Sequence, residues 1–155
     1  MATNKPFFVP QKEVDLFDAL NEELIDEIIG QTVDIYKISI EDTEGNMYGE
    51  STTKYYNDGF RVNCLINYIE PEIELNDLGP DLNTSIEMYF HRTTLSEADF
   101  YPEIGDIVDW NGHYFEMNSV TEPQLIAGHQ GFKHSIIVKA HRSRLSGLQI
   151  EERTR

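Results

Sequence analysis

The chain reads as mainly β with an N-terminal α-helix, folded as an antiparallel β-sandwich or a partly open β-barrel with long loops. Three observations predict this. One strongly amphipathic stretch, residues 11–29, has apolar residues at helical spacing. Several strand-like segments then follow with no helical pattern between them, which favours antiparallel pairing. Asn111-Gly112 sits between two apolar runs, and both central residues of a type I′ turn need positive φ, so it marks a tight hairpin.

The helix comes first. Val14, Phe17, Leu20, Leu24 and Ile28 recur at steps of three and four, and Leu16, Ile25 and Ile29 widen the stripe. Asp15, Asp18, Glu22, Glu23, Asp26 and Glu27 fill the opposite side, and Gly30 supplies a C-terminal stop. The stripe is expected to pack on the core. Before the helix, Pro6 and Pro10 discourage both helix and central strand. Residues 1–12 therefore read as an arm, with Phe7 and Phe8 folding back or docking on another chain.

Residues 32–40 alternate as a strand rich in β-branched and aromatic residues. Residues 41–60 read as a long polar loop in which Tyr48, Tyr55 and Tyr56 suggest an ordered or partner-contacting segment. Residues 61–69 form another strand, with Cys64 as a buried small apolar residue. An acidic connection over 70–83 follows, in which Ile73 and Leu75 can form a short strand. Residues 84–92 resume the pattern, with Ile86, Met88 and Phe90 on one side. Residues 95–104 are a second connection, 105–120 the hairpin, 121–134 a loop and 135–141 a final strand. The organisation is an arm at 1–12, one β-rich domain at 13–142 with its helix at 13–29, and a basic tail at 143–155.

Charge narrows the function. The 155 residues carry 28 acidic side chains against 12 Lys and Arg, a net charge of −16 with neutral His. Such a chain is poorly suited to grip nucleic-acid phosphates or an anionic membrane surface. Aromatics at 11% argue against an acidic disordered segment. No apolar run approaches a membrane span, and no secretory signal is expected after Lys5. The single cysteine excludes an internal disulfide framework. Residues 1–132 hold 26 acidic and 6 basic residues, whereas 133–155 hold 2 and 6. The tail thus opposes the body in sign, and Arg142 and Arg144 suit contacts with an acidic neighbour.

Motifs for chemistry are sparse. His129 and His134 have the spacing of some zinc pairs, with His113 and His141 elsewhere, but no Cys pair or HExxH accompanies them. The run Asp42-Thr43-Glu44-Gly45-Asn46 departs from the calcium-loop order. Glu103, Asp106 and Asp109 could serve as paired carboxylates only if they converged. There is no G-x-S-x-G elbow and no phosphate loop. The expectation is a non-enzymatic interaction protein with no cofactor and no metal. A metal-dependent hydrolase using the late His and Asp residues is the competing reading from another class.

Several segments carry a resemblance. An acidic helix ends at Gly30 before Gln31-Thr32-Val33-Asp34-Ile35-Tyr36. Pro102-Glu103-Ile104-Gly105-Asp106-Ile107-Val108 precedes the hairpin, and Val120 with Pro123 follows it. From about residue 6 to 145 the chain resembles the neck protein family of contractile-tailed bacteriophages, small proteins at the head–tail junction. Only His91-Arg92 stands near the place of that family's basic strand. The resemblance implies a structural virion protein, assembled in the host cytoplasm, that forms a hexameric ring between portal-side and tail-side connector proteins. DNA would pass its lumen without specific binding, and no membrane is involved. A tail-terminator or tail-completion subunit is the alternative station. The expected subunit contacts are Phe7, Phe8, Tyr55, Tyr56, Arg142 and Arg144.

Overall fold

A computed structural model describes residues 10–39, 54–76, 79–123, 133–143 and 148–150, with 54–55, 72–76, 79–83 and 148–150 described by their backbone. The protein is mainly β with an N-terminal helix, and its main sheet is antiparallel and curled into a half-barrel. The helix α1 spans Gln11–Glu23 and continues into one π-helical turn, Leu24–Ile29. Gly30 closes it at φ +57, its N–H donating to the Ile25 carbonyl at 3.0 Å. That bond reaches back five residues, as a π-turn requires, and the left-handed backbone suits glycine.

The strands are β1 (Thr32–Tyr36), β2 (Lys54–Tyr56), β3 (Phe60–Asn63), β4 (Leu65–Asn76), β5 (Gly79–His91), β6 (Ile107–Trp110), β7 (His113–Thr121), β8 (Ser135–Arg142) and β9 (Leu148–Ile150). Seven of them form one sheet in the order β3-β1-β6-β7-β8-β5-β4. Its two edge strands, β3 and β4, are separated in sequence only by Cys64. One continuous run of chain therefore pairs first with β1 and then with β5, and the edges of the curled sheet meet at Cys64. Joining the edges this way is the device by which a curled sheet limits unpaired backbone.

Alternation puts the core inside the curl. Val33 and Ile35, Ile86, Met88 and Phe90, Phe115 and Met117, and Ile136, Val138 and Ala140 are all buried there. Every second residue of a strand faces one side, so β1 and β7 contribute two each and β5 and β8 three each. Cys64 is fully buried in the same cluster. Burial pushes its thiol up to about 12, so it packs as a small apolar group and not as a nucleophile.

The hairpin sits where Asn111-Gly112 predicts it. Asn111 has φ +52 and Gly112 φ +75, and the Gly112 N–H donates to Asp109 Oδ1 at 3.1 Å. A β-branched residue at Gly112 is strained at that φ whatever the free space. Gly112→Val is expected to cost about 1–3 kcal/mol, read as a lower midpoint in urea unfolding.

Three sequence expectations change. The connection at 70–83 is a hairpin: β4 and β5 pair from Leu65↔Tyr89 out to Asn76↔Gly79. Because β5 pairs with β8 only over Ser85–His91, residues 72–76 and 79–83 project past the sheet as a two-stranded ribbon. The expected strand ends one residue early, at His91, and a short helix, α2 (Arg92–Glu97), leads into the connection at 95–104, with Leu95 in the core. The loop and the tail each hold a short strand, because β2 and β9 pair in parallel. Residues 40–53, at the centre of the expected long loop, lie outside the described residues.

Candidate subunit interface

The helix meets the barrel mainly through polar groups. His91, at the end of β5, is buried, and its Nε2 lies 3.0 Å from Asp18 Oδ1. With its proton on Nε2 it donates to that carboxylate, leaving Nδ1 to accept from the Thr94 hydroxyl at 3.2 Å. Thr93 Oγ1 donates to Asp18 Oδ2 at 3.0 Å. Asp18 is thus held by both groups, and α1 is anchored where β5 passes into α2. Beside this knot, Phe17 meets the His134 ring edge-on at 5.4 Å. After the helix, the Gln31 carbonyl accepts from the Cys64 N–H, and Gln31 Oε1 accepts from the Ile66 N–H.

This anchoring leaves the apolar stripe outside. Val14 is the buried residue of α1, whereas Leu16, Phe17, Leu20, Leu24 and Ile28 are 42–71% exposed. The expectation that the stripe packs on the core is therefore overturned. The strands and Leu95 already fill the interior of the curl, and the knot at Asp18 rotates the helix so that Asp18, Asn21 and Ile25 are only half-buried toward the body. The result is an apolar ridge flanked by Asp15, Glu23 and Glu27 on a strongly acidic element. Contiguous exposed apolar surface of this kind marks a contact with another molecule.

His134 is also pH-sensitive. Burial holds its imidazole below the ordinary value of 6.5, opposed by nearby Asp18 and reinforced by nearby His91. A base whose folded pKa is depressed contributes stability that is full above its unfolded value and lost as pH falls below it. The melting temperature is expected to drop between pH 7.5 and pH 5, and to drop less in His134→Phe, which keeps a ring against Phe17 but does not titrate.

The P-x-x-G-D segment is structural. Pro102 is buried, Gly105 adopts φ +97, and Asp106 is buried with its carboxylate accepting from the Glu103 N–H at 2.8 Å and the Ile38 N–H at 3.4 Å. Gly105 N–H and Met117 N–H then exchange bonds with the Met117 and Asp106 carbonyls at 2.8 Å each. Burial raises the Asp106 pKa, while its backbone donors and Lys37 oppose that shift. The segment splices the turn before β6 to the chain just after β1 and to β7.

Five described cations of the body are engaged within the chain. Arg61 pairs with Asp34 through two contacts of 2.8 Å, Lys139 with Glu87 at 2.8 Å, and Lys133 with Glu122 at 2.6 Å. Arg92 and Lys37 lie 3.8 and 3.7 Å from Glu122 and Glu103. Among the described residues, no ion pair involves Glu22, Glu23, Asp26 or Glu27.

The residues singled out from the sequence fall in different places. Arg142 is exposed at the end of β8, 3.4 Å from His113 Nδ1. Tyr56 is buried in its own chain, which pushes its phenol up to about 12, so its ring is engaged within the subunit. Tyr55 is placed by its backbone in β2, beside β9. Phe7, Phe8 and Arg144 lie outside the described residues, as does His129. Among the described residues no three His, Cys, Asp or Glu side chains gather as a metal site, and no helix is long and apolar enough to cross a membrane. The knot of Asp18, His91 and Thr93 was missed, because residues 73 positions apart carry no shared spacing signal.

A scan against family models and a search of curated proteins return no match. Solved structures to which the chain is similar include one from the virion of a native gene transfer agent particle, with TM-score 0.47 and 8% identity over 73% of this chain and 94% of that one. Another is the phage-like element PBSX protein xkdH from Bacillus subtilis, with TM-score 0.38 and 16% identity over 72% of this chain and 92% of that one.

Proposed function

We propose that this chain is a structural, non-enzymatic subunit of a bacteriophage virion, acting as a ring at the head–tail connector. The observation that carries the reading is the apolar ridge of α1, turned away from the core of its own chain. A helix built this way is made to be covered by another subunit. The resemblance of the motifs around Gly30, Pro102–Val108 and Val120 to phage neck proteins supplies the setting, and the curled half-barrel is compatible with it.

The acidity has a use in that setting. Residues 1–132 carry 26 acidic against 6 basic residues, and the described cations of the barrel are mostly held in internal ion pairs. A ring of such subunits presents negative walls to its channel, which repel a phosphate backbone and let DNA slide without sticking. Cryo-electron microscopy of the purified protein tests the proposal. A closed hexameric ring around an open, acidic channel is expected. A particle with no channel, or a channel lined by Lys and Arg, would sink it.

A further inference from the structure

The ridge on α1 constrains what can cover it. From Leu16 to Ile28 it runs about 18 Å along the helix axis. Residues 11–29 hold seven acidic side chains and one lysine, Lys12. Two such ridges face to face would set Glu23 and Glu27 against their own copies, and like charges brought together at an interface oppose it. The occupant must therefore be apolar and free of acid. Residues 1–9 contain no Asp or Glu, and they hold Phe7, Phe8 and Val9 beside Lys5. Two adjacent aromatics bring a large apolar area to a contact of this kind.

Resting on the ring reading, we infer that the N-terminal segment of one subunit docks on the α1 ridge of the next. Reach decides between a neighbour's segment and the chain's own. The segment enters α1 through Pro10, whose backbone is extended at φ −68, ψ 155. Phe8 lies two residues before Pro10, so it can stand only about 7 Å from the start of its own helix. Leu24 and Ile28 lie about 20 and 26 Å along that helix from Gln11. On its own subunit Phe8 reaches the first turns, and the most exposed ridge residue, Ile28, stays bare. A segment arriving from a neighbour has no such tether, and it brings Lys5 toward Glu23 and Glu27. Each subunit then gives an arm to one neighbour and takes one from the other, a heterologous contact that closes into a ring.

Crosslinking of the full chain tests this. Phe8→Cys combined with Leu24→Cys is oxidised mildly and run on a non-reducing denaturing gel. The native Cys64 is buried and does not compete. The inference predicts a ladder of dimers and higher species for the double variant, and monomer for each single variant. In a second arm, Phe7→Asp/Phe8→Asp and Leu24→Asp/Ile28→Asp are each expected to weaken self-association by about 100-fold or more, with unchanged circular dichroism. An equimolar mixture of the two should recover dimers, since one intact arm meets one intact ridge. If the native protein is oligomeric but the double variant closes only within its own chain, or not at all, the arm inference falls and the ring stands. If the native protein is monomeric at every concentration, the ring reading falls and takes the inference with it.

Discussion

Phe90→Ala is expected to destabilise the protein by about 3–5 kcal/mol. The ring of Phe90 is fully buried at the end of β5 and belongs to the cluster formed by β1, β3, β5, β6, β7 and β8 with Cys64 and Leu95. Removing it loses the transfer energy of a large side chain and leaves a void that close-packed strands cannot collapse to fill. For a domain of this size that loss corresponds to a fall in melting temperature of roughly 10 °C or more. It is also a large share of the 5–15 kcal/mol by which domains are stable. Phe90→Leu, which retains most of the volume, should cost about half as much. A loss below about 1 kcal/mol for the alanine variant, measured by urea unfolding, would mean that the curled sheet is not closed around this residue as described.

Asp106→Ala is the second large effect. The carboxylate accepts two backbone N–H groups, from Glu103 and from Ile38, on segments far apart in sequence. With alanine both donors lose their acceptor in a buried place, and an unsatisfied buried donor costs about 1–3 kcal/mol. The expected loss is about 2–4 kcal/mol, with the Gly105–Met117 exchange loosened at the same time. Asp106→Asn keeps an oxygen for the Glu103 N–H and removes the charge that burial disfavours, but its NH2 group faces the Ile38 N–H, so it should recover only part of the stability. Hydrogen exchange at Glu103 and Ile38 separates the cases: both amides should exchange faster in the alanine variant, whereas in the asparagine variant the Glu103 amide stays protected and the Ile38 amide, left facing the NH2 group, exchanges faster.

Much of the fold was legible in the amino-acid sequence. Alternation of apolar residues located β1, β5 and β8 because one face of each strand is buried. Asn111-Gly112 marked the hairpin because few residue pairs tolerate positive φ twice in succession. Cys64 was recognisable as buried, but not as the hinge at which one run of chain passes between the two edges of the sheet. That property belongs to long-range pairing and leaves no local trace.

The interface was legible only in part. Helical periodicity identified a continuous apolar stripe on residues 11–29, yet a stripe reads the same whether it faces its own core or another molecule. What decides is the rotation of the helix, and that is set by Asp18, His91 and Thr93, which meet across the fold. The ribbon at 72–76 and 79–83 reads in the sequence as a connection because Pro71, Gly79 and Pro80 look like breaks. Pro71 falls instead at the register shift between Ile69 and Glu72, where a bulge leaves strand backbone unpaired.

The central claim is that this 17.9 kDa chain is built to be covered by copies of itself. Native mass spectrometry of the purified protein across a concentration series addresses it most directly. The account predicts a closed multiple of the subunit mass, six copies for the proposed ring, that falls apart when Leu24 and Ile28 carry aspartate. A single species at the mass of one subunit, unchanged by those substitutions, would contradict it.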